Sequence, residues 1–161
     1  MKRSSAPAAT KAFRIRDYAL DDFDALCEID RECYEPAIVY SRREMRAYLN
    51  ARGASCIVAE SADEIAGFCI AAGRESEGYV ITIDVREKYR KRGVGSALLR
   101  EAEKRLAAQG VRAISLDTAI GDGGAIAFYE KHGYRKVGVR KGYYPNGCDA
   151  LAMIKAVGGG A

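Results

Sequence analysis

Arg86-Glu87-Lys88-Tyr89-Arg90-Lys91-Arg92-Gly93-Val94-Gly95-Ser96 sets five cations and two glycines between two segments of different periodicity. Upstream, Tyr79 to Val85 alternates as a strand does. Downstream, Gly93 to Gln109 carries Val94, Leu98, Ala102 and Leu106 at four-residue intervals, which predicts a long helix ended by Gly110. Ala113 to Thr118 reads as strand again. Strand, helix, strand in that order predicts a parallel pair joined by a right-handed crossover, with the basic turn at the first strand's carboxyl end.

Further out, Phe13-Arg14-Ile15-Arg16 alternates as a first strand. Asp21 and Asp22 open a helix in which Phe23, Leu26, Cys27 and Asp30 recur at helical spacing until Pro36. Ser41-Arg42-Arg43-Glu44 has the form in which a hydroxyl and a carboxylate satisfy each other's free amides, and Met45, Tyr48 and Leu49 follow on one face. Between these helices Tyr34 to Tyr40 is a short aromatic loop. Ser55 to Glu60 and Ile65 to Ala72 read as a hairpin turning at Ser61-Ala62-Asp63-Glu64. Beyond the parallel pair, Asp122 to His132 is a shorter helix closed by Gly133. Tyr134 to Tyr144 and Asp149 to Ala156 form a last hairpin around Pro145-Asn146-Gly147. The order is β-α-α-β-β-β-α-β-α-β-β in one domain over residues 13–156, with flexible tails expected at 1–12 and 157–161.

The chain has 161 residues, 48% of them hydrophobic and 30% charged, enough to bury roughly 70% of the unfolded surface without staples. Its net charge of +4 suits an anionic small ligand. Five cysteines, at 27, 33, 56, 69 and 148, include no C-x-x-C pair, and a single histidine, His132, accompanies them, so no metal is expected. The basic start lacks the apolar stretch of a secretory signal, and no run approaches the ~20 apolar residues of a membrane span. The expectation is a cytoplasmic protein without a membrane partner.

The first amides of a helix lack internal acceptors and carry partial positive charge, so the turn at 86–96 is suited to phosphate, and glycine lets a ligand approach the backbone. Neither the Walker loop nor the dinucleotide fingerprint is present. A solvated charge run capping a helix is the structural alternative.

Arg90-Lys91-Arg92-Gly93-Val94-Gly95 resembles the R/Q-x-x-G-x-G/A loop of the GCN5-related N-acetyltransferase (GNAT) family. Ala125-Ile126-Ala127-Phe128-Tyr129-Glu130-Lys131-His132-Gly133-Tyr134 resembles a second segment of that family. Tyr143-Tyr144-Pro145 with Asp149 to Met153 is similar to its ribosomal-protein-alanine N-acetyltransferase branch. The resemblance implies an α/β (α+β) fold: a mixed, mostly antiparallel central sheet with strands four and five parallel, flanked by about four helices. It also implies acetyl-coenzyme A as co-substrate, held by Arg90, Lys91, Arg92, Gly93, Val94, Gly95 and Ser96. Ile83 and Val85 would meet the pantetheine and acetyl carbonyl through their backbones, with Val85 N–H as oxyanion donor. Asp122 stands where the family usually has an asparagine touching the pantetheine arm, which loses a donor but keeps a good helix cap.

Acetyl transfer to an amine further needs a base and a proton for the departing thiolate. Tyr129 matches the family's general acid, with a core aromatic beside Phe128 as the alternative. Asp117 stands five residues before Asp122, where the branch carries a glutamate, and alternation sets it opposite the apolar Ile114 and Leu116, an unusual place for a carboxylate. Being a methylene shorter, it would act directly, through water, or only as a structural residue. His132 reads as a helix C-terminus residue.

An α-amino group with pKa near ~8 is about a tenth neutral at neutral pH, against under a thousandth for lysine near ~10.4, so a weak base suits a protein N-terminus. By resemblance, Tyr34, Tyr40, Tyr143 and Tyr144 would clamp the acceptor, the alternative being ordinary loop tyrosines. A small-molecule amine or lysine acceptor, a non-catalytic acyl-coenzyme A sensor and a nucleic-acid patch at Arg86 to Arg92 are the rival readings. The expected partners are acetyl-coenzyme A and a protein N-terminus or small amine; a nucleic-acid partner is not expected, and the chain would be a monomer or homodimer.

Overall fold

The computed structural model describes residues 13–158, so the tail expected at 1–12 and residues 159–161 of the tail expected at 157–161 lie outside the described residues. Val157 donates its N–H to Arg112 O at 2.9 Å and packs against the core. Seven strands form one sheet: β1 (Arg14–Asp17), β2 (Ala54–Ser61), β3 (Glu64–Arg74), β4 (Glu77–Val85), β5 (Ala113–Ala119), β6 (Arg135–Arg140) and β7 (Ala150–Ala156), in spatial order β1-β2-β3-β4-β5-β7-β6. Four helices flank it: α1 (Phe23–Cys33), α2 (Arg42–Leu49), α3 (Val94–Ala108) and α4 (Gly123–Lys131). Only β4 and β5 run parallel; the other neighbours are antiparallel.

The alternation of each strand divides the core between the two faces of the sheet. Ile57, Ala59, Cys69 and Ala71 face α3, whose Val94, Leu98, Leu99, Ala102 and Leu106 are buried. Val58, Phe68 and Ile70 face Leu26 and Ile29 of α1 and Met45 of α2. β3 is therefore buried on both sides, as a central strand between two helical layers must be. The α2 cap forms as its sequence predicts: Glu44 N–H donates to Ser41 Oγ at 3.0 Å and Ser41 N–H to Glu44 Oε1 at 2.8 Å.

Two elements differ from the sequence reading. The helix expected to open on Asp21 and Asp22 begins as a 3-10 turn, Leu20–Asp22, because the Asp22 carboxylate accepts from Ala19 N–H at 2.8 Å and from both ends of the Arg16 fork. The strand expected to reach Tyr144 ends at Arg140, because Asp149 Oδ1 accepts the Gly142 N–H at 2.8 Å and draws the chain out of the ladder. Among the described residues no helix is long and apolar enough to cross a membrane.

Candidate active site

β4 is the pivot. Its partner residues on β3 run Ile70↔Thr82 and then Ala71↔Val80, leaving Ile81 as an extra residue in a bulge. Val80 and Ile83 consequently pack on the same α3-facing cluster while Ile81 packs on the opposite one. The parallel ladder with β5 stops at Tyr79↔Ser115. Arg86 N–H bonds Ala66 O at 2.9 Å, so by the two-residue alternation of the ladder the backbone groups of Ile83 and Val85 point away from β3, into the gap beside β5. Val85 O, on that side, accepts Arg90 Nε at 2.9 Å and the Cys33 thiol at 3.5 Å.

The basic turn ends at Gly93 with φ +86°, the left-handed region where a side chain is strained. A Cβ built there would meet nothing within 4 Å, so backbone conformation, not crowding, calls for the glycine. The first α3 bond runs from Ala97 N–H to Gly93 O at 3.0 Å, which leaves the Val94, Gly95 and Ser96 amides without intrahelical acceptors. Arg90, Lys91 and Arg92 are exposed around them. The turn is less uniformly basic than its sequence suggests. Arg86 is buried, donating to Ile65 O at 2.8 Å and pairing with Glu32 at 2.7 Å and Glu28 at 3.2 Å, and Lys88 pairs with Glu64 at 2.7 Å. Two of the turn's five cations are thus paired with carboxylates, and Arg90, which donates to Val85 O, stays exposed with Lys91 and Arg92 in the residues leading to the three open amides.

Gly95 brings α3 close to α4, its hypothetical Cβ 3.4 Å from the Phe128 ring. Asp122 caps α4, accepting from Ala125 N–H at 3.0 Å. His132 ends that helix, and its Nε2 lies 2.8 Å from Ser96 Oγ, so the Ser96 hydroxyl is turned toward α4 while its amide stays at the helix mouth. Tyr129 packs edge-on against Phe128 and Tyr134, and burial, helped by nearby Cys69 and Asp84, pushes its phenol up.

Across the gap Asp117 is almost covered, its side chain 4% exposed. It accepts from the Tyr79 hydroxyl and from Arg140 Nε at 2.7 Å. Burial and the Asp117 carboxylate push the Tyr79 phenol up. Tyr79 and Arg140 are not among the site residues read from the sequence, since only strand register brings them to Asp117.

The four loop tyrosines occupy two loops that meet. Tyr40 packs on Tyr48 at 4.7 Å and Tyr143 on Tyr144 at 4.9 Å. Asn146 Nδ2 reaches Glu35 Oε1 at 3.4 Å, joining the α1–α2 loop to the β6–β7 loop. Tyr34 is held down beside Thr82 and Asp84, and burial pushes it well up; burial also raises Tyr144, to about 12. Asp84 and Asp30 are the other residues the sequence reading left unused, although Asp30 was on the apolar stripe of its helix and Asp84 between Ile83 and Val85. All five thiols are free, and among the described residues no cluster of three His, Cys, Asp or Glu could hold a metal.

Residues 23–134 match the model of the acetyltransferase (GNAT) family. An N-alpha-acetyltransferase of Saccharolobus solfataricus is 38% identical over 80 residues, which span 49% of this chain and about half, 48%, of the relative's length. An N-alpha-acetyltransferase of Sulfurisphaera tokodaii is 30% identical over 156 residues, 89% of this chain and 92% of the relative. The crystal structure of the ribosomal-protein-S18-alanine N-acetyltransferase from Escherichia coli has the same fold, with TM-score 0.83 at 24% identity over 92% of this chain and 96% of that one.

Proposed function

Because the chain belongs to the GNAT family of acetyltransferases, we propose that it moves the acetyl group of acetyl-coenzyme A directly onto the α-amino group of a protein N-terminus. The observation that carries the reading is the parting of β4 from β5 after Tyr79↔Ser115, which leaves the Ile83 and Val85 main chain unpaired on that side, with Asp117 on β5 beyond the last pair and Tyr129 packed on the α3-facing cluster. The names of both sequence relatives favour an α-amine.

The Val94, Gly95 and Ser96 amides, with Arg90, Lys91 and Arg92, hold the diphosphate at the helix mouth, where partial positive charge and open space coincide. Ile83 aligns the pantetheine arm by backbone bonds, with Asp122 at its side. Val85 N–H donates to the carbonyl oxygen as charge develops there, in a setting where a fixed dipole acts with little screening. The amine nitrogen bonds to the acyl carbon as the carbon–sulfur bond breaks. Asp117, whose two oxygens already receive Tyr79 and Arg140, takes the amine proton through a water. Tyr129 gives its proton to the leaving thiolate; a phenol raised by burial keeps that proton until a strongly basic acceptor appears. Tyr34, Tyr40, Tyr143 and Tyr144 flank the acceptor's first residues where the two loops meet.

Intact-mass analysis after incubation with acetyl-coenzyme A tests the acceptor. Peptides beginning with Ala or Ser are expected to gain one acetyl group. Transfer confined to N-terminally blocked peptides carrying lysine would overturn the α-amine reading.

A further inference from the structure

Among the described residues, two buried side-chain oxygens have no hydrogen-bond partner: Asp30 Oδ1 and Asp84 Oδ2. Each residue is 1% exposed. The other oxygen of each is committed, Asp30 Oδ2 accepting the Tyr40 N–H at 2.7 Å and Asp84 Oδ1 accepting from Thr82 Oγ1 at 2.6 Å. The two carboxyls interact side chain to side chain, each raising the cost of ionising the other. Neither is ion-paired with any Lys, Arg or His among the described residues. Two ionised carboxylates in contact, dry and without a cation, are not tenable; one proton between them satisfies both orphan oxygens at once.

We propose that Asp30 and Asp84 share a single proton at neutral pH, Asp84 donating to Asp30, and that this bond is a latch that positions the α1–α2 loop over β4. Asp30 lies on α1, and through Tyr40 N–H it fixes the far end of the aromatic loop. Asp84 lies between Ile83 and Val85, the two residues whose main chain faces the gap. One proton therefore ties the loop carrying Tyr34 and Tyr40 to the strand that aligns the acyl group. Asp84 and Asp30 are positioning residues: they face the α1 side, opposite Ile83 and Val85, and are too deeply buried to meet the acceptor.

The ionisable groups that interact with the pair are Cys27 and Cys33 on α1, Tyr34 and Tyr40 on the loop, Cys69 on β3 and Tyr129 on α4. All are acids made weaker by burial, Cys33 to about 11. They stay neutral where the pair titrates, and Asp84 is itself held well above the usual carboxylate range by burial and by Asp30. Losing the shared proton places two like charges at the loop's anchor, and the loop is released on the alkaline side of neutrality.

Two measurements on the full-length protein test this. In the ligand-free protein labelled with 13C at the aspartate carboxyls, and assigned with Asp84→Asn and Asp30→Asn, one carboxyl of the pair is expected to remain protonated at neutral pH and to titrate on the alkaline side. Both carbons ionised at neutral pH would overturn the shared proton. The effect on the acceptor rests on reading Tyr34 and Tyr40 as peptide contacts, and peptide KM tests it separately from the titration. In the wild type, KM is expected to rise about fivefold to tenfold through that alkaline step with little change in kcat, the scale of one lost buried hydrogen bond. Asp84→Asn, whose amide donates to Asp30 without titrating, is expected to flatten that rise, whereas Asp84→Ala raises KM at every pH. An Asp84→Asn profile that tracks the wild type would overturn the latch. If that variant does not fold, Asp30→Asn, which removes the second carboxyl while its amide still donates to Asp84, must move the step to lower pH, and a step left where the wild type has it would overturn the shared proton.

Discussion

A phenol that serves a thiolate must hold its proton until the carbon–sulfur bond breaks, and the burial of Tyr129 among Phe128, Tyr134 and the α3-facing core provides that condition. Tyr129→Phe is expected to lower kcat by about 10²-fold, the usual scale for one acid–base group, while calorimetry finds coenzyme affinity nearly unchanged; wild-type kcat would remove the residue from the mechanism. Tyr129 was conspicuous in the sequence because its motif has a fixed register with the following glycine. Asp117 was conspicuous because a carboxylate interrupts an apolar strand. Its partners were not: Tyr79 lies 38 residues away and Arg140 23 residues away, and pairing between strands depends on register that no local pattern encodes. The same applies to Asp30 and Asp84, each visible as a misplaced acid on a core-facing position but joined only by the packing of α1 on β4.

The elements around the site were readable because each carries its own punctuation: the Ser41–Glu44 box, the four-residue repeat of α3, and Asp122 before α4. The bulge at Ile81 was not, since the adjacent apolar Val80 and Ile81 that mark it read equally well as a strand buried on both faces. Gly93→Asp tests the α3 mouth. It places a negative charge beside three open amides, so coenzyme Kd is expected to rise at least about tenfold with kcat at saturation much less affected; unchanged affinity would move the diphosphate elsewhere. Arg86 and Lys88 test the turn's division of labour. Arg86 joins the end of β4 to α1 and to Ile65 O, and Arg86→Ala leaves that buried carbonyl and the two glutamates without their donor, at a cost of about 2 kcal/mol. Thermal melts should fall by about 4–8 °C. Lys88→Ala removes only an exposed pair and should leave the melting temperature nearly unchanged. Equal losses would mean that Arg86 is as solvated as its neighbours.

For the whole molecule, two aspartates oppose each other in the pH dependence of folding. The Arg16 guanidinium holds the Asp22 carboxyl below its usual value, so the folded state binds fewer protons there and that stability is lost as pH falls through the folded pKa. Asp84 is raised, the folded state binds more protons, and stability declines as pH climbs from the unfolded value through the folded one. Asp22→Asn is expected to flatten the acid side of the stability profile and Asp84→Asn the alkaline side, read by denaturant unfolding across pH; an alkaline side unchanged in Asp84→Asn would contradict the raised carboxyl. In the proposed function the two substrates approach separately, the coenzyme from the α3 and α4 side and the acceptor from the loops over α1, to meet where β4 and β5 part. That meeting point is most directly tested by resolving every backbone amide by 15N NMR while acetyl-coenzyme A is added. The amides of Ile83, Val85, Val94, Gly95 and Ser96 are expected to shift together and saturably, whereas saturable shifts confined to other parts of the chain, or a spectrum that does not change, would contradict the account.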